Sequence, residues 1–393
     1  MKIDTDPKKI DGLLTRGVDE IIGKEELEKK LKTGVELRVK LGIDPTSPNL
    51  HLGRAIPLLK LRDFQELGHK IVLIIGDFTG IIGDTSDKES ERPMLSAEQV
   101  AENMKTYIEQ AGKIIDIAKC EIHHNSEWLG KLGYAEIGKQ ADAFALSDFI
   151  ARENIKRRLD AGKRVSLREL LYPLMQGYDS VAIKADVEIG GTDQRFNILA
   201  GRELQRLYNQ DAQSIITNPL IDGLDGRKMS SSWGNTINLL ATTDDMFGKV
   251  MSLCDELIIT YFTLGTRLSL AEIEEKKARL EKGENPRDIK LELAYEIVRM
   301  YHGKDQAKTA QANWGKTFSQ KETPDNIPEL KPSAYDLITI LLESKLVETK
   351  SEAKRAIEQN GVKVNNEIAS DPKLQLQPGD LVQKGKRYWV KVV

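Results

Sequence analysis

Two stretches of this 393-residue chain carry residue types able to handle a polyphosphate. The first is Asp44-Pro-Thr-Ser-Pro-Asn-Leu-His51-Leu-Gly53-Arg54, where a strand-like run hands over to a helical one. A helix N-terminus there offers free backbone N–H groups and the positive end of the helix dipole. Gly53 permits close approach by a ligand, and His51 and Arg54 add donors for phosphate and ribose oxygens. Taken alone, the stretch is equally a capped turn with an incidental histidine. The second is Gly226-Arg227-Lys228-Met229-Ser230-Ser231-Ser232. A lysine beside three hydroxyls in a loop can follow a leaving pyrophosphate, since chemistry at phosphorus needs mainly positioning and charge neutralisation. Taken alone, it is a solvated loop.

The elements that must position these stretches follow from patterning. VELRVKLGID (35–44) begins as alternating Val, Leu, Val, Leu and reads as a strand. IVLIIGD (71–77) is a continuous apolar run followed by turn residues, as in a parallel strand covered on both faces. Between them Leu58, Leu61, Phe64 and Leu67 recur at helical spacing, and Gly68 is placed to end the helix. Strand, helix, strand predicts a βαβ unit and an α/β fold with a doubly wound, Rossmann-like parallel sheet. CEIHH (120–124), ADVEIG (185–190) and QSIITNPL (213–220) are further strand candidates. Residues 1–34, with Leu13, Leu14, Val18, Ile21 and Ile22, read as an N-terminal helical extension. The sheet domain then covers 35–225, with a helical insertion at about 96–170. Residues 226–317 read as the serine-rich loop and a helical domain, and FSQKETPDNIPELKP (318–332) as a linker. Residues 333–393 form a small α+β unit. Thr349 and Glu352 make a possible capping box, Gly361 would close that helix, and VKV (362–364) and YWVKVV (388–393) are strands.

Bulk properties narrow the class. With 58 basic and 61 acidic residues the net charge is −3, so contact with a polyanion must use local patches. The tail is the basic part, with ten basic and eight acidic residues. Two distant cysteines, Cys120 and Cys254, give no disulfide framework, and no apolar run is long enough to span a bilayer. A cytoplasmic protein with no membrane partner is expected. His123 and His124 with Cys120 nearby lack a fourth ligand, so no zinc site is expected.

The ordered pair H-x-G-[HR] and K-M-S-x-S resembles class I aminoacyl-tRNA synthetases. GDFTGIIGDTSDKESERP (76–93), YPLMQGYDS (172–180) and GGTDQRFN (190–197) are similar, in order and spacing, to the tyrosine-specific branch. With an S4-like tail, the likeness covers nearly the whole chain. It implies ATP and L-tyrosine as substrates, with Mg²⁺ accompanying ATP, and tRNA(Tyr) as partner. It implies that Thr46, His51, Arg54, Lys88, Arg92 and Lys228 act on the phosphates. Gly42, Asp44, Gly53, Gly191, Asp193, Met229, Ser230 and Ser231 would complete the ATP site. Asp84, Tyr172 and Gln176 would surround the α-ammonium of tyrosine, Asp179 would accept from its phenol, and Gln194 and Asn125 would complete that pocket. A carboxylate and two neutral oxygens suit a buried ammonium, and Tyr172 and Gln176, four apart, share a helix face. Lys350, Lys354 and Arg355 would meet tRNA phosphates. A homodimer through residues around 125–165 is also implied.

Four positions depart from the family pattern: Arg54 for histidine, Ser231 for lysine, Lys40 where some relatives have a tyrosine beside the phenol, and Glu188 for glutamine. Two rival readings stay open at this level. One is a tryptophan enzyme of the same class. The other is an inert paralogue that binds RNA through its tail.

Overall fold

The apolar runs become a six-stranded sheet with strands β1 (Glu20–Ile22), β2 (Arg38–Ile43), β3 (Lys70–Ile75), β4 (Glu121–His124), β5 (Val187–Gly191) and β6 (Ser214–Asn218). This computed structural model describes residues 3–86, 93–319, 327–347, 349–385 and 388–393. They fall into two compact units, Met1–Ala241 with Lys249–Tyr301, and Thr242–Gly248 with His302–Val393.

In the first unit the strand order is β1-β6-β5-β2-β3-β4. β6, β5, β2, β3 and β4 run parallel, and β1 closes one edge antiparallel to β6. Ile71, Val72, Leu73 and Ile74 are all fully buried, as strands sandwiched between helical layers require. Val72 and Ile74, two apart and therefore on one face, pack against Ile183, Ala185 and Trp128. The helix Leu52–Glu66 buries Leu58, Leu61 and Phe64 and ends at Gly68. There Gly68 N–H donates to the Gln65 carbonyl (3.0 Å) and His69 N–H to that of Phe64 (3.1 Å), a Schellman ending. From β2 the chain moves outward through β3 and β4, then returns to place β5 on the other side of β2. The topological switch point therefore lies between β2 and β5, where doubly wound sheets leave a crevice at the strands' carboxyl ends.

The reading of residues 1–34 as wholly helical needs correction. Helices Pro7–Thr15 and Lys24–Thr33 flank β1, whose Ile21 and Ile22 pair with Ile216 and Ile215. A three-residue strand is too short to display a period of two, so its isoleucines read as part of the adjoining helical pattern.

In the second unit β7 (Glu329–Leu330), β8 (Val362–Val364), β9 (Glu367–Ile368), β10 (Leu381–Lys384) and β11 (Tyr388–Val392) form a sheet in the order β7-β11-β10-β8-β9. Its core includes Leu337, Ile340, Leu341, Ile357, Val382 and Val390. β7 falls inside the stretch read as a linker, so those two residues belong to the tail sheet; residues 320–326 lie outside the described residues. Thr349 caps the helix Lys350–Glu358 by accepting from Glu352 N–H, as expected. At the other end the left-handed residue is Asn360, at φ 58°, and not Gly361. Gly361 N–H donates to the Ala356 carbonyl (2.8 Å), so the glycine sits one position further along the same ending.

Candidate active site

A cavity of about 400 Å³ opens at the carboxyl ends of β2 and β5, a size suited to a small-molecule site. Every candidate on residues 42–54, 84, 125, 172–194 and 228–231 lines it: Gly42, Asp44, Thr46, His51, Gly53, Arg54, Asp84, Asn125, Tyr172, Gln176, Asp179, Gly191, Asp193, Gln194, Lys228, Met229, Ser230 and Ser231.

One end is carboxylate-rich. The helix Leu167–Ile183 is opened by a capping box between Ser166 and Glu169, and presents Tyr172, Gln176 and Asp179 at spacings of four and three. Asp179 is buried and accepts from Trp128 Nε1–H (2.8 Å) and from Asn125 Nδ2 (3.2 Å). Burial pushes its carboxyl up to about 7, against the pull of Lys40, Trp128 and Asn125. Asp44 accepts from Thr79 Oγ1–H and from the Tyr172 hydroxyl, each at 2.7 Å, one on either carboxylate oxygen. Burial raises Asp44 to about 6 and the Tyr172 phenol well above its ordinary value. Gly76, just after β3, makes this packing possible: a Cβ there would lie 2.0 Å from Asp44 Oδ1. Asp84 accepts from Gln194 Nε2 (2.8 Å) and from the Ser86 hydroxyl (2.6 Å).

The other end is rich in cations and hydroxyls. His51 precedes the helix Leu52–Glu66 as its cap. It is buried, and its Nδ1 has no hydrogen-bond partner among the described residues. Burial, then Arg54 and Lys228, push its pKa down to about 3, so the imidazole is neutral. Arg54 turns back on its own loop, donating to Thr46 Oγ1 (3.1 Å) and to the Asp44 carbonyl (3.3 Å). The long guanidinium fork makes that span possible, where a histidine would be shorter. Lys228 forms an ion pair with Asp193 (2.9 Å), Gly53 N–H reaches Met229 Sδ (3.3 Å), and the hydroxyls of Ser231 and Ser47 lie 3.3 Å apart. Asn235 clamps this loop, accepting from Ser230 N–H (2.9 Å) and donating to Asp225 (2.7 Å). At Gly191 a Cβ would stand 2.5 Å from Asp193 Oδ1, so the glycine leaves room for that carboxylate.

Some expectations fall elsewhere. Lys88 and Arg92 lie outside the described residues. Lys350, Lys354 and Arg355 are exposed on their helix in the second unit, with Ala353 and Ile357 buried beneath. Tyr172 is tied to Asp44, Asp84 to Gln194 and Gln176 to Glu188, so the three groups assigned to one ammonium are held by three separate sets of hydrogen bonds. Sequence reasoning missed Trp128, Thr79 and Asn235. Trp128, three residues after Asn125 in the same tight helical turn, is the one a sequence signal could have offered. His123 faces Glu127 (3.2 Å), and Cys120 Sγ donates to the Asp116 carbonyl (3.3 Å). Among the described residues no cluster of three or more His, Cys, Asp or Glu is arranged to hold a metal ion, and no helix is long and apolar enough to cross a membrane.

Comparison with known proteins gives the same picture. Residues 32–319 match the family model described as tRNA synthetases class I (W and Y), and residues 337–382 match the S4 domain. The tyrosine--tRNA ligase of Thermotoga maritima is 46% identical over 385 residues, 97% of this chain and 96% of its own length. That of Idiomarina loihiensis is 46% identical over 386 residues, 96% of each chain. Among solved structures, a C-terminally truncated mitochondrial tyrosyl-tRNA synthetase of Aspergillus nidulans superposes with a TM-score of 0.66 at 22% identity, covering 79% of this chain and 94% of that one. The tyrosyl-tRNA synthetase of Archaeoglobus fulgidus, solved with L-tyrosine, gives 0.62 at 23% identity, covering 77% and 99%. The chain belongs to the class I aminoacyl-tRNA synthetases, in the branch that contains the tyrosine--tRNA ligases.

Proposed function

We propose that this chain activates L-tyrosine with ATP to tyrosyl-adenylate and pyrophosphate, then transfers the tyrosine to the 3′ end of tRNA(Tyr). The observation that carries this reading is one cavity with two chemically opposite ends. A buried aspartate closes one end, and the His51 helix terminus and the Lys228–Ser232 loop frame the other.

Asp179 accepts from the phenol, with Trp128 and Asn125 fixing its carboxylate. A buried acceptor placed for a hydroxyl rejects phenylalanine because it would be left unpaired. Gln176, Asp84 and the Tyr172–Asp44 pair receive the α-ammonium. Gly191 and Asp193 meet the ribose, and Gln194 the reacting carboxylate. His51 and Thr46 face the phosphates, joined by Lys228 as pyrophosphate leaves and by Lys88 and Arg92. Met229 and Ser230 seat the base side, and Gly42 and Gly53 leave room for the nucleotide. The tyrosine carboxylate attacks the α-phosphorus in line, and alignment plus charge stabilisation supply the catalysis. Magnesium would enter with ATP and would offset charge on its phosphates.

The S4 unit offers Lys350, Lys354 and Arg355 to tRNA phosphates. A second copy of the chain covers the insertion's exposed apolar residues, where Tyr134 is 95%, Leu146 64% and Leu167 77% exposed. A cytoplasmic setting fits two unpaired cysteines. Amino-acid-dependent ATP–pyrophosphate exchange tests the first step, and charging of tRNA(Tyr) the second. Exchange stimulated by tryptophan and not tyrosine would point to the other branch of the family. Tail-dependent RNA binding with no exchange for any amino acid would point to an inert paralogue. Light scattering that found a monomer would remove the dimer.

A further inference from the structure

Beneath the cavity, out of its lining, lies a buried ion pair. Lys40 on β2 and Glu188 on β5 are direct partners in the sheet register, at the switch point itself. Lys40 is 0% exposed and Glu188 1%, and their charged atoms are 3.0 Å apart. The ammonium spends its remaining hydrogens on the Gln176 carbonyl (2.9 Å) and Ser180 Oγ (2.8 Å). Glu188 receives three further donors: Gln176 Nε2 (3.1 Å), the Ser180 hydroxyl (2.9 Å) and Gln213 Nε2 (2.6 Å). Its carboxylate is thus an acceptor on every side.

A buried pair of this kind adds little stability over a well-packed apolar pair. What an apolar pair cannot do is dictate polarity. Gln176 lines the cavity, and its carboxamide can turn either nitrogen or oxygen inward. With a saturated carboxylate beneath it, the nitrogen must face Glu188, and the oxygen is left for the ligand. Gln176 is also held through its backbone carbonyl by Lys40, so the residue is fixed at two points.

We propose that the Lys40–Glu188 pair is a positioning device that locks Gln176 with its oxygen toward the cavity, as an acceptor for the substrate's α-ammonium. This rests on the tyrosine reading above and adds a determinant to it.

The test compares two ligands by calorimetry on the full chain. Tyrosinol carries the ammonium and phenol. The compound 3-(4-hydroxyphenyl)propanoate carries the phenol but no ammonium. Lys40→Met/Glu188→Met removes the acceptor beneath Gln176 without stranding a charge, and is expected to weaken tyrosinol at least tenfold while leaving the propanoate within about twofold. Gln176→Leu is expected to do the same. Glu188→Gln keeps an oxygen beside Gln176 and is expected to retain the ammonium preference. Equal weakening of both ligands, or unchanged tyrosinol binding in either the double variant or Gln176→Leu, overturns the proposal. Should the double variant not fold, Lys40→Leu/Glu188→Leu takes its place under the same criterion, and loss of the ammonium preference in Glu188→Gln also overturns the proposal. Wild type that bound neither phenol compound would instead remove the tyrosine reading itself.

Discussion

Asp179→Ala tests the amino-acid pocket most directly. The substitution deletes the acceptor shared by Trp128 Nε1–H and Asn125 Nδ2. The part-buried Trp128 Nε1–H loses its partner, which costs about 1–3 kcal/mol, while Asn125 Nδ2 keeps Thr79 Oγ1 as acceptor. Removing a carboxyl that burial has raised to about 7 offsets part of that loss, so the variant is expected to fold. Binding carries the diagnostic change. Tyrosine loses a hydrogen bond to a charged acceptor, about 1.5–3 kcal/mol, whereas phenylalanine loses none. At 1.36 kcal/mol per factor of ten, the tyrosine-to-phenylalanine ratio of kcat/KM falls roughly ten- to 150-fold. The assay is pyrophosphate exchange with each amino acid over a range of concentrations, above pH 7 where Asp179 is ionised. A variant that keeps the full wild-type ratio would refute the assignment of Asp179 to the phenol.

Four further outcomes are expected. Asp44 titrates near 6 in the folded chain against an ordinary 3.8, so between those values the folded state holds a proton that the unfolded state has released. Its contribution is fully present below pH 3.8 and is lost as pH rises through 6, by at most about 3 kcal/mol; thermal unfolding from pH 4 to 7 should fall less steeply for Asp44→Asn than for wild type. Gly76→Ala forces a Cβ against Asp44 Oδ1 and Thr79, and is expected to lower stability by about 1–3 kcal/mol in chemical unfolding and to impair adenylate formation. Lys228→Ala is expected to slow single-turnover adenylate formation about 10²- to 10³-fold with little change in tyrosine affinity, as for charge supplied mainly in the transition state. Replacing Lys350, Lys354 and Arg355 together by Ala is expected to raise KM for tRNA and flatten its salt dependence while exchange stays at the wild-type rate.

The central strands β2, β3, β5 and β6 were readable because they are largely buried on both faces and bounded by turn residues, so composition alone marks them. β1 escaped because three residues carry no periodicity, and β7 because two residues inside a proline-rich stretch look like linker. Within the site, the motifs were readable because each is contiguous: 44–54 and 190–197 sit where a strand hands over to a helix, 172–180 lies on one helix, and 226–232 forms one loop. Trp128 was not, since a lone tryptophan in a short helical turn is ordinary core until Asp179 is seen 2.8 Å from its Nε1. Lys40 and Glu188 each stood out as unexpected charges. Their pairing depends on β2 and β5 being neighbours, although 148 residues separate them in the chain, and local sequence does not encode that adjacency.

Two carboxyls in the cavity titrate in the range expected of a general base, Asp44 at about 6 and Asp179 at about 7. Neither is placed to take a substrate proton in the adenylation step. Asp44 accepts from Thr79 and Tyr172, and Asp179 from Trp128 and Asn125; the remaining lone pairs of Asp179 are proposed to receive the phenol, at the end of the cavity opposite the phosphates. The nucleophile needs no base either, since a free amino acid's carboxylate is ionised well below neutral pH. His51, the other familiar proton carrier, is held neutral by burial and by its cationic neighbours. The shifted groups therefore report the dry, polar enclosure that recognition of an ammonium and a phenol demands. The acceleration must come from aligning two anions and from the cations that meet the departing one, which is why Lys228, drawn onto Asp193 across the cavity, stands at the centre of the proposed chemistry.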